Sequence, residues 1–243
     1  RSTLFPYTTL FRSSYFRRAI LGISGGKDST VVAGLCKEVF GAENTYGILM
    51  PNGDQKDISD SWKVVDYLGI KHDVVNIGDA FREIGAAIPG FFDSDAARTN
   101  LPARLRMSTV YAYGQTVNAV VMNTCNLSED TVGYATLYGD SAGSMATLSR
   151  LTTEEVMEIG DDLGLPTELV HKTPIDGLQP LSDEDKLGFT YHEVNELIRK
   201  GIKGPNYEKI MDMYRKNKFK TEIIQIPHFE PYRANYITGQ YIE

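Results

Sequence analysis

From Ala19 onward, apolar and polar positions alternate between two patterns. Residues 19–23 (AILGI) form a short apolar run that leads into glycines, the signature of a parallel strand buried on both faces. Residues 28–40 place Val31, Val32, Leu35, Val39 and Phe40 at helical spacing. Residues 45–50 predict a second strand, closed by the turn signal Pro51-Asn52-Gly53. A helix follows over 57–68 with Ile58, Trp62, Val65 and Leu68 along its stripe, then a third strand over 72–77. Residues 98–117 predict a long helix and 119–123 a fourth strand. The stretch 152–163 opens on Thr-Thr-Glu-Glu, a cap with an acidic first turn, and stops before Gly164. After Pro174 the pattern is irregular, with helices predicted over 192–199 and 207–217. Strands alternating with helices define an α/β fold, a doubly wound, mostly parallel sheet between two helical layers.

Composition narrows the function classes. The chain has 243 residues, 42% hydrophobic and 23% charged, which suits one domain with a sizeable core. A formal charge of -7 offers no bulk attraction to nucleic acid or anionic membrane. Any phosphate must therefore be held locally. No apolar run reaches the ~18 residues that a membrane-spanning helix needs. Cys36 and Cys125 have no metal-type spacing and imply no disulfide framework, so a reducing, cytoplasmic setting is expected. Residues 3–13 (TLFPYTTLFRS) match one reading frame of a common sequencing-library adapter. Residues 1–13 are therefore read as an assembly artefact rather than a short aromatic arm, leaving 14–243 as the domain.

The most informative stretch is Gly22-Ile23-Ser24-Gly25-Gly26-Lys27-Asp28-Ser29-Thr30, between a predicted strand and a predicted helix. That context aims backbone N–H groups and a helix N-terminus at one point, where an anion can bind. Gly25 and Gly26 permit close approach and positive φ; Ser24, Ser29 and Thr30 add hydroxyls. The loop is not a Walker A sequence, because Asp28 follows Gly26-Lys27 and Leu21 stands where the first glycine belongs. A G-x-G-x-x-G dinucleotide fingerprint is absent too. An acid in a phosphate loop repels the anion unless a cation lies between, so Asp28 points to Mg²⁺. The alternative is a glycine-rich turn whose Asp28 and Ser29 only support the helix start.

SGGKDS resembles the SGGxDS loop of ATP pyrophosphatases, an adenine nucleotide alpha hydrolase-like, Rossmann-like fold. Later motifs narrow the resemblance. Asn100-Leu101-Pro102-Ala103-Arg104-Leu105-Arg106-Met107 is similar to the N-x-x-A-R-x-R-M helix of ammonia-dependent NAD synthetases. Thr124, Asn126, Ser128 and Glu129 match their G-T-x-N-x-S-E segment, and Gly133-Tyr134 with Tyr138-Gly139-Asp140 their G-Y/F…Y-G-D loop. Lys172-Thr173-Pro174 and Asp183-Glu184-Asp185-Lys186-Leu187-Gly188 resemble the K-x-P and D-E-x-x-L-G motifs.

The resemblance implies ATP contacts at Gly22, Ile23, Ser24, Gly25, Gly26, Lys27, Asp28, Ser29 and Thr124. It implies Mg²⁺ ligands at Asp28 and Glu129, and contacts to deamido-NAD (nicotinic acid adenine dinucleotide) at Arg104 and Lys220, in a site shared across a homodimer. The implied reaction is amidation of deamido-NAD with ammonia through an adenylate, releasing AMP and pyrophosphate; no nucleophilic-cysteine amidase is evident in the sequence. Read without the resemblance, Arg104 and Arg106 are solvated helix-face cations, and Glu129 is a helix N-terminal carboxylate. Cys36 is a small core residue. Cys125 shows no partner base in its flanks, and His72, His171, His192 and His228 lack ligand spacing.

Five positions depart from the family pattern. Leu137 and Ser144 replace a basic and an acidic contact to deamido-NAD. Thr153 replaces an ATP-contacting lysine, Ile175 a Thr or Ser beside ATP, and Phe219 the histidine before Lys220. These keep two alternatives open: another SGGxDS enzyme with a different acceptor, or a non-catalytic adenine-nucleotide-binding paralogue.

Overall fold

The computed structural model describes residues 16–55, 58–172 and 182–221, together with a short antiparallel pair, Ala234–Asn235 with Gln240–Tyr241. Residues 1–13, Ile175 and His228 lie outside the described residues.

Five parallel strands form the sheet: β1 (Ala19–Gly22), β2 (Thr45–Leu49), β3 (Lys71–Val74), β4 (Val120–Asn123) and β5 (Met145–Ala146). Their spatial order is β3-β2-β1-β4-β5. The helices are α1 (Lys27–Phe40), α2 (Ile58–Leu68), α3 (Gly78–Ala87), α4 (Asp95–Val117), α5 (Leu127–Val132), α6 (Thr153–Asp162), α7 (Thr167–Val170), α8 (Asp183–Leu187), α9 (Tyr191–Lys200) and α10 (Tyr207–Asn217).

Alternation along the central strands builds the three layers. Leu21, Leu49, Val120 and Met122 face one core with Val31, Val32, Val64, Val65, Val156 and Val170. Their neighbours Ile20, Ile48 and Val121 face the other, with Val110 and the α4 residues Leu105, Tyr111 and Tyr113. Both faces are covered, so β1, β2 and β4 are almost wholly buried and mostly apolar. Gly114 lets α4 lie against the sheet; a Cβ there would sit 3.1 Å from Ile20 Cγ2. A third, smaller core of Val132, Leu187, Phe189, Tyr191, Val194 and Ile210 joins α5, α8, α9 and α10.

Two features depart from the sequence pattern, the first through its edge position. The third strand is Lys71–Val74 rather than 72–77, and all four residues are exposed because β3 closes the sheet. Val75 N and Ile77 N still donate to Leu49 O and Pro51 O, so the chain follows β2 after the ladder ends. On α2 the buried stripe is Ser61, Val64, Val65 and Leu68, while Trp62 remains 37% exposed with its ring edge-on to His72.

From β1 the chain moves outward to β2 and β3, then returns to place β4 on the other side of β1. The carboxyl ends of β1 and β4 thus flank the switch point, the crevice where open α/β sheets take ligands.

Candidate nucleotide and cation site

The loop after β1 is built for close approach. Gly25 has φ +78°, and a Cβ there would meet Asp60 Cβ and the Ser61 backbone N at 2.8 Å. Ser61 Oγ donates to Ile23 O at 2.9 Å, tying α2 to the base of the loop. Inside the turn, Gly26 N donates to Ser24 Oγ at 3.2 Å, and Ser24 Oγ lies 3.0 Å from Ser29 Oγ. Ser29 and Thr30 hydroxyls donate to Gly26 O at 3.1 and 2.8 Å. No side chain caps α1 at Gly26, so its first N–H groups point to the crevice without an intrahelical acceptor.

The turn after β4 is different. Asn126 is fully buried. Its Oδ1 accepts from Ser128 N and Glu129 N at 3.0 and 3.1 Å, and Glu129 Oε2 accepts from Asn126 N at 3.3 Å. This capping box fixes α5. Asn126 Nδ2 then crosses the switch point to donate to Asp28 Oδ1 at 2.9 Å. Thr124 lies just beyond β4 and is half-buried.

Between the two turns lies Lys27, 4% exposed, with Nζ 2.9 Å from Asp28 Oδ2 and 4.0 Å from Glu129 Oε1. Burial alone would lower its pKa, but Asp28 and then Glu129 outweigh that and hold it above the usual lysine range. Burial, then the like charge of Asp28, pushes the Glu129 carboxyl well above its usual range, with Lys27 opposing. The loop residues, Asp28 and Glu129 therefore meet at one crevice. The donor set suits a hard divalent cation, to which Asp28 and Glu129 would supply carboxylate oxygens. Among the described residues no group of three or more His, Cys, Asp or Glu forms a metal cage. Phosphate oxygens and water would have to complete the coordination, as Mg²⁺ prefers.

Arg104 and Lys220 converge elsewhere, on the loop that follows α5. Arg104 Nε donates to Leu137 O at 3.2 Å. Lys220 Nζ donates to Gly133 O and Ala135 O at 2.7 and 3.0 Å. Burial lowers the Lys220 pKa, with Asp140 opposing. A cavity of about 240 Å³ opens beside Lys220, lined also by Asn123, Asp130, Ser141 and Gly143. Arg106 is not a solvated cation: its Nε donates to Met50 O at 3.0 Å, at the carboxyl end of β2.

The other motifs have structural work in the fold. Lys172 Nζ binds Asp60 Oδ2 at 2.5 Å, next to Gly25. Asp183 accepts from Tyr134 OH at 3.0 Å, and Gly188 (φ +70°) caps α8. Thr153 is buried; its N–H donates to Ser128 Oγ and its hydroxyl to Asn126 Oδ1. Ser144 Oγ lies 3.4 Å from Tyr111 OH, and Phe219 is 48% exposed. His171 and His192 pair with Asp161 and Glu154. Two organising residues, Asn123 and Asn126, were given no role of their own from sequence. Asn123 Oδ1 accepts from Cys125 N at 2.8 Å, and its Nδ2 donates to Asp140 O at 3.2 Å. The Asn-x-x-Glu spacing of a capping box was the available signal for Asn126.

A family model described as NAD synthase matches residues 8–224. The chain belongs to the NAD synthase family. It is 39% identical over 199 residues to an NH(3)-dependent NAD(+) synthetase of Methanococcoides burtonii, covering 79% of this chain and 74% of that one. A protein of the same name in Finegoldia magna is 32% identical over 229 residues, covering 92% of each. Among solved structures, an NMN synthetase from Francisella tularensis superposes with a TM-score of 0.84 at 30% identity, covering 91% of this chain and 94% of that one. The five-stranded parallel sheet is the sheet of NAD synthase-family structures.

Proposed function

We propose that the chain amidates the nicotinate carboxylate of deamido-NAD with ammonia, consuming ATP and releasing AMP and pyrophosphate. The observation that carries this reading is the convergence of the uncapped SGGKDS turn with Asp28 and Glu129 at one crevice. The curated relatives named NH(3)-dependent NAD(+) synthetases support the acceptor and the nitrogen source.

A carboxylate is a poor acceptor for an amine, because oxide is a poor leaving group. Attack of the nicotinate oxygen on the α-phosphorus of ATP forms an acyl-adenylate and expels pyrophosphate. Ammonia then attacks the acyl carbon, loses a proton, and AMP departs. The residues Gly22 to Ser29 hold the phosphates through loop amides and hydroxyls, and Lys27 supplies fixed positive charge where charge accumulates on pyrophosphate. Thr124 borders the nucleotide. Asp28 and Glu129 would hold Mg²⁺, which would supply charge neutralisation for the pyrophosphate. The remaining task is alignment of two substrates. Arg104 and Lys220 bind the acceptor, and a homodimer completes that site. Exposed Ile84, Ile88 and Phe92 beside the start of α4 supply apolar surface for such contact.

A second acceptor, nicotinic acid mononucleotide, is favoured by one observation: the 0.84 superposition on an NMN synthetase. Leu137, Ser144 and Phe219, where dinucleotide contacts are missing, point the same way. The test is a product assay with Mg·ATP, ammonium and each acceptor in parallel. NAD⁺ with stoichiometric AMP, lost in Asp28→Ala by ~10²–10³-fold, is the expected result. Amidation of the mononucleotide alone would transfer the reading to that acceptor. Formation of ADP, or no turnover by folded protein that binds ATP, would sink the amidation reading.

A further inference from the structure

Four polar side chains are sealed together where α5, α6 and α9 meet. Asn126, Ser128, Thr153 and Asn195 are each no more than 6% exposed. Ser128 Oγ donates to Asn195 Oδ1 at 2.6 Å and accepts from Thr153 N at 3.1 Å. Thr153 Oγ1 donates to Asn126 Oδ1 at 3.4 Å. Asn126 Oδ1 also accepts from Ser128 N and Glu129 N, which leaves its Nδ2 turned to Asp28 Oδ1 at 2.9 Å. A continuous chain of hydrogen bonds thus runs from Asn195, on α9, to a carboxylate read above as a cation ligand.

Asn195 is the end of that chain remote from the site, and its place in α9 is costly. Tyr191 and Val194 on the same helix are buried in the small core. The Asn195 Nδ2 is buried too and meets no hydrogen-bond partner among the described residues. An amide left half unpaired costs stability that leucine, of similar shape, would avoid. What Asn195 contributes is therefore its Oδ1. That oxygen fixes the direction of the Ser128 proton, so a Ser128 lone pair faces Thr153 N, a first-turn donor of α6 with no intrahelical acceptor. In a buried network each bond orients the next. Other bonds also hold α9 on α6: Arg199 binds Glu155 Oε1 and Arg150 O at 2.7 Å each, and His192 binds Glu154 at 2.7 Å.

We propose that Asn195 is a positioning residue of the cation site: through Ser128 and Thr153 it holds Asn126, and through Asn126 it holds Asp28. This rests on reading Asp28 and Glu129 as ligands of the cation that accompanies ATP. Asp28 Oδ2 is engaged by Lys27 Nζ at 2.9 Å, so Asn126 supplies the second point of a two-point hold on the carboxylate. Cutting the chain at Asn195 loosens that second point and leaves every ligand of the site chemically intact.

The test uses the full chain, Mn²⁺ as a paramagnetic probe, and an ATP analogue with a methylene bridge between the α- and β-phosphates. Affinity for the Mn²⁺–analogue pair and the urea midpoint of ligand-free protein are measured for wild type, Asn195→Leu, Ser128→Ala, their double variant, and the packing control Val194→Ala. Asn195→Leu is expected to bind the pair about fivefold more weakly, and Ser128→Ala, which cuts the same chain one bond nearer, at least as weakly. The double variant should be no weaker than Ser128→Ala, because two cuts in one chain do not add. Val194→Ala should lower the urea midpoint and bind as wild type does. Wild-type affinity in Asn195→Leu would overturn the proposal. Additive losses in the double variant, or equal weakening in Val194→Ala, would do so too. Should Asn195→Leu not fold, wild-type affinity in Ser128→Ala overturns it instead. A wild type that fails to bind the pair strikes the cation reading, and the proposal falls with it; a binding wild type with an unchanged variant strikes the proposal alone.

Discussion

Two strand-to-helix turns face each other across the switch point, and they solve the same local problem in opposite ways. After β1 the chain reaches α1 through glycines, with no side chain on the helix N-terminus. After β4 it reaches α5 through Asn126, whose side chain and Glu129 close a full capping box. Both helices start with N–H groups that lack intrahelical acceptors. The second turn satisfies its own and presents carboxylate; the first leaves its donors to the crevice. On the proposed reading, one turn takes the anion and the other holds the groups that make it welcome. Asn126 joins them through its bond to Asp28. The difference teaches that helix capping, usually a matter of stability, here separates a self-satisfied helix start from one with donors to spare, the end the proposed function gives to the ligand.

The comparison is broken most severely at Gly25. Alanine there must adopt φ +78° and press against Asp60 and the Ser61 backbone at 2.8 Å. Left-handed strain and overpacking against backbone together give about 2–6 kcal/mol. Gly25→Ala is expected to lower the denaturation midpoint and to weaken ATP binding, because α2 must retreat from the loop. Calorimetric melting beside nucleotide titration checks both. A stable variant with wild-type ATP affinity would show that the turn does not need its tight approach.

Asn126→Ala should act next. It removes the cap of α5 and the donor to Asp28, and leaves Ser128 N and Glu129 N without their acceptor. Loss of the cap and of buried partners amounts to about 1–3 kcal/mol. Asn126→Asp sharpens the test, since it retains the capping oxygen but turns a second carboxylate toward Asp28. That variant should recover most of the stability and none of the arrangement around Asp28, read as Mn²⁺ affinity in the presence of nucleotide. Equal recovery of both would separate the cap from the cation site and dissolve the link between the turns.

Much of this was legible in sequence because buried parallel strands and glycine-rich turns have local signatures. The runs at 19–23, 45–50 and 119–123 fall on β1, β2 and β4, and the SGGKDS loop lies where those runs place it. Short elements escaped: α5, α8 and the two-residue β5 present too few turns or pleats for periodicity to register. Trp62 was misplaced because helical spacing gives a stripe but not its centre; packing against β2 selected Val64 and Ser61 instead. Arg104 and Arg106 looked alike as solvated cations, yet one reaches Leu137 O on an exposed loop and the other Met50 O at a strand end. Only the chain path, bringing residues 50 and 106 together, distinguishes them.

The mildest perturbation in the β4 turn is Cys125→Ala, and it asks whether that turn contributes chemistry or only position. Cys125 stands beside Thr124, a place from which a reactive thiol would attack an acyl group. The structure gives it a different role. The residue is 6% exposed, its Sγ donates weakly to Asp140 O at 3.4 Å, and burial, then Glu129 and Asp140, push the thiol well above its usual range. Cys36, buried in the first core, is pushed up to about 12 by burial alone. A thiol held protonated is a poor nucleophile, so neither should react with iodoacetamide in the folded protein at neutral pH. Cys125→Ala removes one small buried side chain and a weak hydrogen bond, a loss of about 1 kcal/mol. Turnover should be unchanged, because an adenylate mechanism needs no covalent enzyme intermediate. Peptide mapping after alkylation, with steady-state rates of the variant, checks both points. Rapid alkylation of Cys125 with matching loss of activity, and an inactive but folded Cys125→Ala, would move the acyl transfer onto the protein and make the second turn a reactive one.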